Sequence, residues 1–431
     1  MTSPPEPTHA PGEQLVNFDM PPPDDPRRIE VRDWIAANPS PSNADLAGAG
    51  WVAPHWPEPW GRNADPMTQL IIAEEFRAAD IRMPLNIIGI GWAAPVIHLA
   101  GTDEQRERYL PPIFSDEDHW CQLFSEPDSG SDLASLSTRA VRDGDEYVIT
   151  GSKIWSSGAH ESQYGILLAR TDPDAPKHKG ISYFIYPMST PGTTLAPVVD
   201  MTTAHSFNQV FFDEARIPAS MLVGEEGDGW RLAKATLANE RVGLSSGGAL
   251  WGQGPSAETL FDLVKANGRV TDPIQRDQLA QLHIRAEVLR LTQLRTLSAQ
   301  LAGATPGPEA SIQKILADEI GQEIMTMAKA LVGTAGMLEG SGPPGSIPRT
   351  RQAGATEINF ARGNASQFPD VDPVWHYGYV FGPALTIGGG TFAIQRNIVA
   401  EHVLGLPREP NVETGLTWSE TRSRQSAMES A

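Results

Sequence analysis

Residues 120–132 read Trp-Cys-Gln-Leu-Phe-Ser-Glu-Pro-Asp-Ser-Gly-Ser-Asp, and Gly151-Ser-Lys-Ile-Trp-Ser-Ser157 follows about twenty residues later. Small hydroxyl residues, glycines and an isolated tryptophan are what a strand-and-loop pocket needs to hold a flat, polar aromatic ring. Ser125, Ser131, Ser156 and Ser157 offer hydroxyls and backbone N–H groups to ring heteroatoms. Trp155 is suited to cover one face of such a ring. Neither segment holds a metal-ligand cluster or a nucleophile beside its base. The pattern points to chemistry carried by a bound organic cofactor.

The sequence changes character on either side of these segments. Residues 1–27 are rich in proline and acid, with Pro21-Pro-Pro-Asp-Asp-Pro26, and read as a mobile tail. Residues 28–117 carry helical spacing, as in Thr68-Gln-Leu-Ile-Ile-Ala-Glu-Glu-Phe-Arg-Ala-Ala79, and Thr102-Asp-Glu-Gln105 is a capping-box pattern. Residues 118–226 alternate short β-prone runs with turn signals: Glu146–Thr150, Tyr164–Ala169, Ile181–Tyr186 and Gln209–Phe212, with Asp143-Gly144 as a hairpin candidate. From 227 to 408 the helical period returns, with long amphipathic runs over Pro273–Leu301 and Pro308–Val332 and a third over Thr391–Leu404. Gly333–Val371 is rich in glycine, proline and serine and reads as an extended connection. Residues 409–431 read as a frayed polar tail. The expected fold class is α+β: an N-terminal helical domain, a central β-barrel-like domain and a C-terminal helical bundle.

Composition narrows the partners. The 431 residues carry 53 acidic and 33 basic side chains, a net charge of −20. Nucleic acid is an unsuitable partner, because phosphate binding needs a basic surface. One cysteine, Cys121, leaves no internal disulfide and no cysteine-based metal site. No apolar run is long enough to span a bilayer, and the N-terminus shows no basic-then-apolar signal pattern, so no membrane is expected and a cytoplasmic location is the default.

The two opening segments resemble the flavin-binding signatures of the acyl-CoA dehydrogenases. The resemblance continues in order through Trp56-Pro, Trp60-Gly, Gly101-Thr-Asp-Glu-Gln105, Phe207-Asn-Gln-Val-Phe-Phe-Asp213, Ile217-Pro218, Gly229-Trp230 and Gln395-Arg-Asn-Ile-Val-Ala-Glu401 to Leu404-Gly-Leu-Pro-Arg408. It implies FAD as cofactor, an acyl-CoA substrate and α,β-dehydrogenation to the trans-2-enoyl-CoA. By the same resemblance Gln122, Phe124, Ser125, Gly130 and Ser131 line the flavin from one strand and loop. Trp155, Ser156 and Ser157 line it from the next, and Thr391 approaches from the C-terminal helix. Ser131 is also placed against the pantetheine, and Arg241 beside the substrate.

The reaction needs a carboxylate to take the α-proton and donors for the thioester oxygen. Many family members carry a glutamate near the C-terminus where this chain has Gly389, in Gly388-Gly-Gly-Thr391. Others place the base in a Glu-Arg pair on a helix just after the β-domain, and here that pair is Glu240-Arg241. Spacing bears on this independently. Ala233, Leu237, Glu240 and Leu244 are four, three and four residues apart, so they share one helical face and Glu240 belongs to the apolar stripe. A carboxylate held among apolar groups is a better proton acceptor. Gly389 keeps a backbone N–H for the thioester oxygen.

The family usually completes its cofactor site across a subunit interface, with an arginine and a Gln-x-x-Gly-Gly loop from the neighbour. Here Asn267-Gly-Arg-Val-Thr-Asp-Pro273 retains Arg269 without the aromatic and glycine, and Ala330-Leu-Val-Gly-Thr-Ala-Gly336 replaces the loop; Ala393 stands where an acidic or amide side chain is common. The expected assembly is therefore an α2β2 tetramer with a related acyl-CoA dehydrogenase chain, passing electrons to an electron-transfer flavoprotein. Two other readings stay open: a flavin oxidase or monooxygenase of the same fold, and a structural subunit without catalysis. Gly340-Ser-Gly-Pro-Pro-Gly345 matches a dinucleotide fingerprint in form only, since prolines remove the N–H groups it needs. His205, His376 and His402 are scattered, so no metal is expected.

Overall fold

The computed structural model describes residues 20–202, 204–244, 249–251, 254–266, 272–301, 307–332, 373–410 and 413–429. The Gly333–Val371 connection, Arg269, the Gly340–Gly345 segment and residues 1–19 lie outside them.

The N-terminal helices are α1 (Pro26–Ala37), α2 (Asn43–Gly48), α3 (Pro66–Ala78), α4 (Ala94–Ala100) and α5 (Asp103–Phe114). Helix α1 begins just inside the stretch read as tail: Asp25 caps it by accepting from the Arg27 N–H, and Pro26 occupies the first turn, where no N–H is needed. Thr102 and Gln105 form the capping box of α5 reciprocally. Glu75 on α3 is buried and pairs with both Arg28 and Arg32 on α1.

The middle region forms one eight-stranded sheet from β1 (Trp120–Leu123), β2 (Arg139–Asp143), β3 (Glu146–Lys153), β4 (Tyr164–Arg170), β5 (Ile181–Pro187), β6 (Thr193–Val198), β7 (Phe207–Pro218) and β8 (Leu222–Val223). The strand order is β6-β7-β3-β2-β4-β5-β8, with β1 parallel to β4. Asp143 pairs with Glu146 across the β2–β3 hairpin, and Gly144 takes φ +65°, which favours glycine.

Alternation along the central strands sorts side chains between two cores. On β4, Ile166 and Leu168 join the helical core, whereas Leu167 and Ala169 face the interior of the β region. On β5, Tyr183 and Ile185 go one way, and Phe184 and Tyr186 the other. On β1, Cys121 and Leu123 face the β interior while Trp120 faces the helices. Gln122 shares the parity of Trp120, so its amide points toward the helical side.

The C-terminal helices are α6 (Gly229–Leu244), α7 (Ala257–Ala266), α8 (Pro273–Leu301), α9 (Ala310–Val332), α10 (Pro373–Phe381), α11 (Phe392–Ile398) and α12 (Trp418–Glu429). Leu232 and Ala233 of α6 sit in the helical core with α4 and α5, and Leu237 packs against it. Helices α7 to α10 close around a separate core of Leu260, Leu282, Ile324, Ala328, Trp375 and Leu385. On α8, Ile284, Val288 and Leu291 are exposed. Their spacing makes one outward apolar stripe.

The tail expectation over 409–431 does not hold for 418–429, which is helical and docked. The Trp418 N–H donates to the Ala175 carbonyl at 2.9 Å and its indole stacks under Arg170, 4.5 Å from ring centroid to guanidinium carbon. Lys177 pairs with Glu413 at 2.5 Å. The segment is polar, but half-buried Trp418 docks it on the β region, helped by the Ser419 N–H, which donates to the Pro173 carbonyl at 3.1 Å.

Candidate active site

The two signature segments meet through backbone and a buried ion pair. The Ile154 N–H donates to the Ser125 carbonyl at 2.9 Å. Lys153 has no exposure; its Nζ donates to the Phe124 carbonyl at 3.0 Å and to Glu126 Oε1 at 2.8 Å. Glu126 in turn accepts from the Ser137 and Thr138 N–H groups at 2.6 and 2.8 Å. Burial, the largest single influence, raises the Glu126 carboxyl, but the Lys153 ammonium and the Ser137 and Thr138 bonds together hold the group below its ordinary value. A fully satisfied buried pair of this kind fixes geometry more than it adds stability. Sequence reading quoted both residues without giving them this task.

The chain beyond Lys153 turns sharply outward. Trp155 takes φ +62°, uncommon for a bulky residue, and the residue is 56% exposed, with Phe207 edge-on to its ring at 5.7 Å. Ser156 is fully buried and its Oγ has no hydrogen-bond partner among the described residues. Asn208 on β7 clamps this turn: backbone bonds of 3.1 Å run both ways between Ser156 and Asn208, and Asn208 Nδ2 also reaches the Ser156 carbonyl at 3.2 Å. The Asn208 amide bonds His160 Nδ1 at 3.0 Å and His205 Nε2 at 2.9 Å, and the two imidazoles stack at 4.4 Å. Asn208 lay in a quoted segment, but only the tertiary structure reveals its role.

Ser131 and Ser157 are exposed, Ser125 is half-buried, and a β-carbon placed on Gly130 would enter open space. Phe124 is buried against Tyr183, 6.0 Å between centroids, so it backs the site from the core side. An exposed indole, exposed hydroxyls and a buried hydroxyl lacking a partner fit the ring and heteroatom edge of a flavin.

Glu240 lies where α6 passes β1. It is 6% exposed, and Gln122 Nε2 donates to its Oε2 at 3.4 Å. Burial pushes its carboxyl up to about 6, against the opposing pull of the Gln122 amide, Lys314 and Arg241. Gln122 therefore meets the carboxylate, although the family resemblance placed it on the flavin. Arg241 is half-buried, and burial lowers its guanidinium from the ordinary value against the pull of Glu240.

Gly389 reaches the same place from the C-terminal region. A β-carbon on it would stand 3.6 Å from Glu240 Oε1, 2.5 Å from Leu244 Cδ1 and 2.8 Å from Lys314 Cε. Its φ of +67° is the left-handed conformation that glycine adopts without strain. Fully buried Gln395 holds the turn, its Nε2 donating to the Gly389 carbonyl at 2.9 Å. Thr391 caps α11, accepting from the Ile394 N–H at 3.4 Å. Glu240, Gln122 and Gly389 thus converge from three separate elements, while Ser125, Ser131, Trp155, Ser156 and Ser157 form the neighbouring loop surface.

Three family models match in order: acyl-CoA dehydrogenase N-terminal domain over 28–117, middle domain over 121–215 and C-terminal domain over 227–359. Acyl-CoA dehydrogenase FadE34 of Mycobacterium tuberculosis is 39% identical over 364 residues, covering 84% of this chain and 46% of FadE34, so the chain spans about half the length of that relative. Acyl-CoA dehydrogenase IpdE1 of the same organism is 36% identical over 368 residues, covering 85% of this chain and 88% of IpdE1. Among solved structures, the Tcur3481-Tcur3483 steroid ACAD superposes with a TM-score of 0.68 at 28% identity, over 89% of this chain and 97% of that one. The ChsE4-ChsE5 complex from Mycobacterium tuberculosis gives 0.67 at 29% identity, over 91% and 100%. The chain belongs to the acyl-CoA dehydrogenase family of FAD-dependent oxidoreductases.

Proposed function

We propose that this chain dehydrogenates a bulky, steroid-type acyl-CoA between its α and β carbons, with Glu240 as the base, as one subunit type of a heteromer. The observation that carries the reading is the buried Glu240 carboxylate, raised toward neutrality and facing Gln122 and the glycine turn at 389. A base is most effective when its proton affinity lies near the working pH. FAD, when bound, supplies the acceptor for the hydride leaving the β carbon. Glu240 takes the α-proton onto a carboxylate oxygen, Gln122 orients that carboxylate, and the Gly389 N–H donates to the thioester oxygen as negative charge grows there. The C–H electron pair released at the α carbon becomes the new carbon–carbon double bond, so the product is the trans-2-enoyl-CoA. Trp155, Ser125, Gly130, Ser131, Ser156 and Ser157 hold the flavin, with Phe124 behind them and Thr391 beside them. Ser131 and Arg241 border the substrate.

Three observations support the heteromer and substrate class. Two of the similar solved structures are named as two-component assemblies, one of them a steroid enzyme. The Ile284–Val288–Leu291 stripe on α8 is an exposed apolar face suited to a partner helix. The pyrophosphate-binding arginine and Gln-x-x-Gly-Gly patterns are altered in the sequence. A related chain supplying those groups completes the site, and an electron-transfer flavoprotein accepts the electrons.

Expression alone and with candidate partner chains tests the assembly. Flavin content per chain and anaerobic reduction by steroid-side-chain and straight-chain acyl-CoAs are the measurements. Full flavin occupancy and full reduction by the lone chain would overturn the heteromer. Unimpaired reduction in Glu240→Gln would overturn the base. Fast reoxidation in air would favour an oxidase.

A further inference from the structure

A second charged side chain shares the space around Gly389. Lys314 on α9 has no exposure. Its Nζ donates to Asp318 Oδ2, one helical turn on, at 2.6 Å, and to the Leu385 carbonyl at 3.2 Å. Leu385 belongs to the 3-10 turn Gly382–Thr386, which leads into the glycines at 388–390. Lys314 is therefore tied both to its own helix and to the segment that presents Gly389. The β-carbon position of Gly389 lies within 4 Å of both Lys314 Cε and Glu240 Oε1. A cation taken wholly out of water costs several kcal/mol unless it is paired and hydrogen-bonded. Both conditions are met here, and the place it occupies adjoins a buried carboxylate.

Resting on the reading of Glu240 as the base, we propose that Lys314 is its positioning residue. The fixed Lys314 ammonium keeps the Glu240 carboxylate in the ionised, proton-accepting form, and the Lys314 stem fills the volume a side chain at 389 would need. Other charged groups frame this interaction. Arg241, next to Glu240 on α6, also favours the ionised carboxylate. Asp318 pairs with Lys314, although burial raises its carboxyl to about 6 against the pull of that ammonium, and Glu319, which also acts on Asp318, is itself paired with Arg285 and Arg396. Of the Lys314–Asp318 pair, it is the Lys314 charge that bears on Glu240. In a site with little water, a fixed charge acts over several ångströms with far less screening than at the surface.

The test is a carboxyl titration in the folded protein, followed by infrared difference or labelled-glutamate NMR, with Glu240 identified by the signal absent from Glu240→Gln. Lys314→Met combined with Asp318→Asn removes both charges at nearly constant shape and strands no buried carboxylate. The Glu240 midpoint then rises by about one pH unit or more. A folded double variant with an unmoved midpoint overturns the proposal. If that variant does not fold, Lys314→Met alone decides: the Lys314 charge is gone, the buried Asp318 carboxyl takes up its proton, the Glu240 midpoint rises, and a fall or no movement overturns the proposal. The titration reads the coupling whether or not Glu240 is the base. Exchange of the substrate α-proton by Glu240→Gln tests the base separately, so the two failures are distinguishable.

Discussion

Glu240 and Gly389 face one another across a gap too small for a second side chain: a β-carbon at 389 would lie 3.6 Å from Glu240 Oε1 and 2.5 Å from Leu244 Cδ1. A carboxylate from α6 and a bare turn from the C-terminal region therefore exclude each other's alternatives. Moving the base to 389 requires displacing Leu244 and the Lys314 stem as well as straining the backbone. Gly389→Ala is expected to cost about 1–3 kcal/mol through its positive φ and these contacts. Glu240→Gly combined with Gly389→Glu is expected to leave the enzyme inactive. Thermal melting and substrate-dependent flavin reduction check the two parts.

The Glu240 carboxyl sets a pH dependence with a definite sign. Its value rises from 4.5 to about 6 on folding, so the folded chain holds this proton more tightly than the unfolded chain between those limits. Activity limited by the free base falls on the acid side with a midpoint near 6. Burying the ionised group costs about 2 kcal/mol above pH 6, and that cost vanishes below 4.5. Glu240→Gln is expected to lose proton abstraction yet melt at a higher temperature at pH 7.5, with no such gain at pH 4. Melting curves at both pH values, beside α-proton exchange rates, decide it.

Asn208 is the clamp of the Trp155–Ser157 turn. Replacing it with alanine deletes the side-chain bonds to the Ser156 carbonyl, His160 and His205, and leaves only the two backbone bonds between residues 156 and 208 to hold the turn. A loss of about 2–3 kcal/mol in local order is expected. Flavin retention through gel filtration falls at least tenfold, while the Glu240 titration is unchanged. Retention equal to the unmodified chain would remove Asn208 from the cofactor site.

Asp116 stands at φ +63° with its Oδ1 buried and lacking a hydrogen-bond partner among the described residues, and burial raises its carboxyl to about 7. His119 lies 3.8 Å away. Asparagine tolerates this conformation and carries no charge to bury. Asp116→Asn is expected to stabilise the protein above pH 7 by about 1 kcal/mol or more, and the gain shrinks as the pH falls and the native carboxyl takes up its proton. A gain independent of pH would point to packing instead of charge.

Trp418→Ala is expected to release α12 from the β region, because the indole is the contact with Arg170 and its Nε1 donates to the Ser135 carbonyl at 3.4 Å. Hydrogen exchange across 418–429 rises by orders of magnitude, with a global cost of about 1–2 kcal/mol. Unchanged exchange would mean that Glu413 and the backbone bonds suffice to dock the helix.

Local rules made much of this chain legible in its sequence. Capping residues placed α5, short β-prone runs between turn signals located strands of the middle region, and the spacing of Ala233, Leu237, Glu240 and Leu244 put Glu240 on the apolar stripe of α6. Each of these depends on residues within a few positions of one another, where covalent geometry fixes the period. The tertiary structure decided which buried faces meet. That Gln122, Glu240, Gly389 and Lys314 share one site depends on packing β1, α6, the 388–390 turn and α9 together across more than two hundred residues of chain. The docking of α12 is another such result, since one tryptophan outweighs the polarity of its neighbours only when Arg170 and the Ser135 carbonyl are brought to it. Long-range partners of charged and aromatic groups leave no periodic trace in the sequence, because their energy comes from desolvation and contact at a distance along the chain.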